Sequence, residues 1–213
     1  MCFLNSGSLP KSLNHTFITL IPKTKNPENV TKFKPISLCN VLYKFFSKVL
    51  ANRLKRVLPN IISKHQSAFL KGRLITDNIL VAFETLHYMK NHNSGNLAFM
   101  ALKLDMSKAY DRVEWSFLKV VMTQMGFNDW WVALVMECIT SVTYFLLING
   151  EPFGEIKSSR GIRQGDPLSP YLFLLCSEGL HRMIQKAAES GDIQGVSIFR
   201  NGPKLTPPFF CKR

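Results

Sequence analysis

A chain of 213 residues with 46% apolar content is long enough for one large domain or two small lobes, and too apolar to be disordered. Its net charge of +13 at pH 7 is uneven: residues 1–76 hold 13 Lys and Arg against one acid, Glu28, while the remaining 137 residues carry only +1. That asymmetry favours a polyanionic partner for the first third, with a solvated basic face as the plain alternative.

No stretch of about 18 apolar residues is present to span a bilayer, so no membrane partner is expected. The start, MCFLNSGSLPKSLNH, lacks the basic-then-apolar order of a signal peptide. Five scattered cysteines without a CxxC pair argue against a zinc site or disulfide scaffold, and for a reducing, intracellular setting.

In chain order, TFITLIPK is a β-rich run ending at Pro22 and Lys23, and TKNPENVTKFKP is a turn-rich loop with four lysines between Lys23 and Lys34. A helical stripe follows: Leu38, Val41, Leu42, Phe45, Phe46, Val49, Leu50, Leu54, Val57 and Leu58, with Pro59 as the expected stop. Lys44, Lys48, Arg53, Lys55 and Arg56 fill its other positions. HQSAFLKGRLITDN reads as a loop turning at Gly72. Thr76 is a candidate cap for a helix over 77–90, with Ile79, Phe83 and Leu86 on one face.

NLAFMALKLD reads as a buried strand ending at Asp105, and Ser107 as the cap of a helix that reaches Met125 and closes at Gly126. NDWWVALVMECIT is a further helix. SVTYFLLINGEPFGEIKSS is a hairpin turning at Asn149-Gly150. Asp166-Pro167 then suits the start of a helix to about Glu189, with Leu172, Leu175, Leu180 and Met183 inward. VSIFRNGPKLT is a second hairpin turning at Asn201-Gly202. The mixed order of elements predicts an α+β fold, an antiparallel sheet packed by helices on one face.

An aspartate between a strand and a helix has an ordinary use, accepting the free N–H groups of that helix. Its neighbours suggest more. Tyr110 and Asp111 follow Asp105, and GIRQGDPLSP later forms a glycine-bracketed loop, the kind that lets backbone approach phosphate or a base. ALKLDMSKAYDRVEW and SSRGIRQGDPLSPYLF resemble two core motifs of reverse transcriptases of the LINE, or non-LTR retrotransposon, type, close to plant members. FITLIPKTKNPENVTKFKPISLCNVLYKFFSKVLANRLK and HQSAFLKGRLITDNI resemble that family's fingers motifs, in order and with plausible spacing.

The resemblance implies a right-hand polymerase fold, with fingers-like residues 1–96 and part of the palm in 97–213, without a thumb. It implies RNA-templated addition of deoxynucleotides to a DNA primer, with two Mg²⁺ ions held by carboxylates. By the same resemblance Asp105 is the catalytic, metal-bridging residue. Tyr110 packs under the incoming sugar, Gln164 and Gly165 line the nucleotide pocket, and Lys23 and Lys34 hold the triphosphate. Lys71, Arg73 and Arg163 are expected along the nucleic acid. The family usually has Arg where Lys34 stands, so a bidentate phosphate contact is replaced by a point charge.

The family's second carboxylate motif, an aromatic followed by Ala-Asp-Asp, is expected beyond KLT. This chain reads Phe209-Phe210-Cys211-Lys212-Arg213 there. Pro207 and Pro208 also disfavour a central strand. The expectation is a reverse transcriptase fragment without polymerase activity as it stands; the alternative is a non-catalytic nucleic-acid-binding remnant. The five histidines, His15, His65, His87, His92 and His181, are expected at the surface or as satisfied hydrogen bonders.

Overall fold

The computed structural model describes residues 2–91, 99–197 and 204–205. The chain forms two compact units, each discontinuous in sequence: Met1–Val57 with Lys108–Cys176, and Leu58–Ser107 with Ser177–Arg213. The boundary expected between residues 96 and 97 falls inside the second.

The first unit is built on a four-stranded sheet of β1 (His15–Pro22), β2 (Phe33–Cys39), β3 (Thr143–Ile148) and β4 (Glu151–Lys157), in the order β2-β1-β3-β4. β1 and β2 are antiparallel from Thr16↔Cys39 to Pro22↔Phe33, and β1 and β3 are parallel from His15↔Thr143 to Ile18↔Leu146. The sheet is therefore mixed, which corrects the antiparallel expectation. A parallel pair needs a long crossover, and the helices between β1 and β3 supply one. β2 was read as loop and helix start because Lys34 and Pro35 interrupt its apolar pattern. It is an edge strand, where proline's missing N–H is tolerated. Asn149 and Gly150, at φ 51° and 89°, turn β3 into β4 as expected.

Helix α1 (Cys2–Ser6) opens the chain, and α2 (Val41–Ile61) follows β2. The buried stripe of α2 is Tyr43, Ser47, Leu50, Ala51, Leu54 and Leu58. Val41, Leu42 and Phe45, expected inward, are 80%, 57% and 68% exposed. The stripe is turned because Tyr43 and Ser47 have polar partners inside. Pro59 does not stop α2, which continues to Ile61. In its last turn the proline removes one ladder bond with little helix left to disrupt.

The helix expected from Ser107 is divided. Tyr110–Arg112 is a short 3₁₀ turn, and α4 (Trp115–Gln124) begins after it. Gly126 at φ 80° follows α4, and Asn128 caps α5 (Asp129–Thr140) by accepting the Trp130 N–H at 2.9 Å. Helix α6 (Ser169–Glu189) starts three residues after Asp166. Leu118, Met122, Val135, Leu168, Leu172, Leu174 and Leu175 are fully buried, each worth about 1.5–3 kcal/mol of transfer free energy.

The second unit holds the end of α2, helix α3 (Ile75–Asn91), the later turns of α6, and the antiparallel pair β5 (Val196–Ser197) and β6 (Lys204–Leu205). That pairing agrees with the second hairpin; its Asn201-Gly202 turn lies outside the described residues, as do residues 206–213. Thr76 lies within α3 rather than capping it, and α3 buries none of its residues. Met183 of α6, expected inward, is 65% exposed.

The strand expected over 97–105 is not formed: residues 99–106 have no regular structure and are exposed, and 97–98 lie outside the described residues. A strand needs a neighbour for its N–H and C=O groups, and no described strand pairs with this segment. No described helix is long and apolar enough to cross a membrane.

Candidate nucleotide and nucleic-acid site

The loop before α6 is organised around Arg163 and Asp166. Both belong to the first unit, and their side chains are 1% and 2% exposed. Arg163 Nη2 lies 3.2 Å from Asp166 Oδ2, closing an ion pair three residues apart. Its remaining guanidinium contacts are internal: Nη1 donates to Asn14 Oδ1 at 2.7 Å and Thr16 Oγ1 at 3.1 Å, and Nη2 to the Cys138 carbonyl at 2.8 Å. The guanidinium also covers the Tyr43 ring, 3.8 Å from its centroid. Arg163 was expected along nucleic acid; the structure corrects this, because the side chain is buried and both its Nη groups face acceptors of its own core.

Asp166 receives the Tyr43 hydroxyl at 2.6 Å, the Leu168 N–H at 2.9 Å and the Ser47 hydroxyl. It caps the turn leading into α6 rather than the first residue of the helix. Burial first, then the Asp166 charge, push the Tyr43 hydroxyl well above its ordinary pKa, so Tyr43 stays a proton donor. The same two causes raise the Cys138 thiol to about 12, and burial alone raises Cys176 to about 12. Neither cysteine is a nucleophile at neutral pH.

Between the paired charges, Gln164 and Gly165 form the tip. Gln164 is half-buried and its carbonyl accepts the Ser37 N–H of β2 at 3.0 Å. Gly165 is exposed at φ 109°, and a Cβ there would stand 3.1 Å from the Ser37 carbonyl oxygen. Only glycine fits both the backbone angle and the approach. Upstream, Gly161 N–H donates to Val113 O at 2.7 Å and Ile162 N–H to Tyr110 O at 2.9 Å. Trp115 Nε1 donates to Gly161 O at 2.7 Å. The loop is thus fastened to the 110–115 segment. Tyr110 is half-buried, its ring 5.3 Å from that of Phe173.

Lys23 and Lys34 flank the loop end of the β1–β2 hairpin, both exposed. Lys23 N–H donates to Lys32 O at 2.8 Å and its Nζ to Thr31 O at 3.2 Å. In the second unit Lys71 is exposed. Arg73 is turned inward: its guanidinium donates to the carbonyls of Pro59, Ile62, Ser63 and Gln66. It closes the C-terminal end of α2, a structural use beside its expected place on the template. Asp105 is exposed in the irregular segment 99–106. Among the described residues no three His, Cys, Asp or Glu converge on a point where a metal ion fits.

Sequence reading missed Asn14, Thr16, Tyr43 and Ser47 as partners of the loop. A signal existed for two of them: Tyr43 and Ser47 are spaced i, i+4 beside the apolar stripe of α2, the pattern of polar groups facing inward. His181 also departs from expectation. It is buried, its ring lies 5.8 Å from that of His65, and neither ring nitrogen has a hydrogen-bond partner among the described residues.

Comparison with known proteins places this geometry in context. The family model described as reverse transcriptase (RNA-dependent DNA polymerase) matches residues 21–200. The Transposon TX1 uncharacterized 149 kDa protein of Xenopus laevis is 32% identical over 180 residues, 84% of this chain and 14% of that protein. The Pol polyprotein from type-1 retrotransposable element R2 of Popillia japonica is 26% identical over 80% of this chain and 24% of its own length. The type-2 element R2DM polyprotein of Drosophila melanogaster is 29% identical over 84% and 16%. The chain thus spans less than a quarter of each of these relatives. With most of its length matched, it belongs to the reverse transcriptase family, in the branch of the non-LTR retrotransposons.

Proposed function

We propose that this chain carries fingers and palm residues that bind an RNA template, a DNA primer and a deoxynucleoside triphosphate, and that it does not extend the primer by itself. The match of residues 21–200 to the reverse transcriptase model carries the first half. In this reading Lys23 and Lys34 meet the triphosphate, Tyr110 lies under the sugar, and Gln164 and Gly165 line the pocket. Lys71 meets the nucleic-acid backbone. Exposure of the lysines and the fixed glycine loop support these roles.

The second half concerns carboxylates. The family generally uses divalent metal ions, with Mg²⁺ the expected choice, and the described residues do not fit a two-ion site. Asp105 is exposed and no described trio of ligating side chains forms around it. Lys212 and Arg213 stand where the resemblance calls for two aspartates. Two divalent ions ~3.8 Å apart repel by roughly 17 kcal/mol at an effective dielectric near 20. One carboxylate offsets little of that, and two basic side chains add to it.

The test is oligo(dT) on poly(rA), assayed for binding and for extension with Mg²⁺ or Mn²⁺. Binding without extension is the expected result. Extension that Asp105→Asn abolishes overturns the second half, and failure to bind the hybrid at low salt overturns the first.

A further inference from the structure

We infer that the buried Arg163–Asp166 pair is a positioning device. It holds Gln164 and Gly165, and through the same loop Tyr110, at the place where a template base meets a nucleotide; this deepens the reading above and rests on it.

The loop is anchored on each side by a separate element. Its upstream end hydrogen-bonds the 110–115 segment through Gly161 and Ile162. A Cβ at Gly161 would stand 3.0 Å from the Asp111 carbonyl oxygen and 3.2 Å from its Cα, so the two backbones touch. Its tip bonds β2 through Gln164 and Ser37, and its downstream end is tied to α2 by Ser47, which accepts the Leu168 N–H at 3.1 Å. The ion pair lies inside this ring of attachments. From there Arg163 reaches Asn14, Thr16 and Cys138, while Asp166 reaches Tyr43 and Ser47.

A buried pair with this many partners need not be there for stability. Replacing both members by apolar groups of similar volume is often neutral or stabilising, because desolvation costs about as much as the attraction returns. What apolar groups cannot supply is direction. A planar guanidinium with fixed acceptors on both arms locks the backbone of residue 163, and a carboxylate with donors on both oxygens locks residue 166. The two residues between them then have almost no freedom of place. Positioning at this level matters, since a displacement of about 1 Å costs on the order of a hundredfold where groups must align.

The double variant Arg163→Met/Asp166→Leu separates position from stability. The probe is a DNA primer on an RNA template bearing a thiouridine at the first unpaired template position, crosslinked by light and mapped by peptide. Wild type is expected to crosslink within residues 160–171. The variant is expected to melt cooperatively and to keep its affinity for the hybrid within about threefold, because surface lysines set that affinity. Its crosslink to the loop is expected to fall about tenfold.

A wild-type yield on the loop in the double variant overturns the inference. So does a wild-type protein that binds the hybrid without crosslinking there, which leaves the binding function intact. Failure of the wild type to bind the hybrid overturns both readings. Should the double variant fail to melt cooperatively, Tyr43→Phe decides. It deletes one hydroxyl donor to Asp166, and an unchanged loop crosslink in that variant overturns the positioning role.

Discussion

Arg163 and His181 show what single residues conceal in a linear reading. Arg163 sits in a polar, glycine-bracketed loop, the usual setting of a surface charge, yet its acceptors come from residues 14, 16 and 138, far away in sequence. His181 has the opposite character, a buried ring with no described partner. Burial holds its pKa below the ordinary value; Glu178 pulls it up, while His65 and Arg182 push it further down. A folded pKa below the unfolded one means that the unfolded chain takes up the proton first on acidification. The stability tied to neutral His181 is therefore whole above the unfolded value of about 6.5 and is lost as pH falls from there toward the folded pKa. The melting temperature is expected to drop between about pH 7.5 and 5.5, a window above the ordinary carboxylate range. His181→Phe is expected to flatten that slope. An equal slope in the variant, followed by scanning calorimetry, would place its origin elsewhere.

Elements were legible where one local rule decides and obscure where a distant partner does. The hairpin at Asn149-Gly150 was plain, because its turn chemistry is complete within two residues. Helix α5 was plain too, from its apolar run, though its cap Asn128 emerged only in the structure. Strand β2 was hidden because Lys34 and Pro35 read as loop, and only its pairing with β1 makes a strand of it. The segment ending at Asp105 failed in the other direction: its apolar pattern is strand-like, and no described strand pairs with it. The end of α2 is decided by a residue beyond it, since Arg73 donates to four carbonyls around the last turn and the loop. Arg73→Ala is expected to cost about 1–3 kcal/mol, the range for a charged hydrogen-bonding group lost from a partly buried site. Amide exchange is expected to quicken from Pro59 onward. Arg73→Lys keeps the charge without the planar fork and is expected to fall between. Should Arg73→Ala leave stability unchanged and weaken only RNA binding, the residue belongs on the template after all.

At the scale of the whole molecule, charge was the most legible property. Of the 13 basic residues within 1–76, Arg73 is committed to carbonyls of its own unit, while Lys11, Lys23, Lys25, Lys34, Lys48, Arg53, Lys55, Arg56, Lys64 and Lys71 are exposed. An exposed cation beside a phosphate displaces a condensed counterion, and that release is what salt opposes. With about five such contacts, log K for an RNA–DNA hybrid is expected to fall against log salt with a slope of about −4. Neutralising Lys23 and Lys34 together, as Lys23→Gln/Lys34→Gln, is expected to make that slope shallower by up to about 2 if both touch phosphates of the bound strand or nucleotide. An unchanged slope would show that neither lysine touches a phosphate of the hybrid, and its contacts would then fall to the other exposed cations, those of α2 and Lys71 among them. The measurement thus tells whether the hybrid reaches Lys23 and Lys34, a question that total charge leaves open, because Lys48, Arg53, Lys55 and Arg56 carry as many cations as the hairpin does.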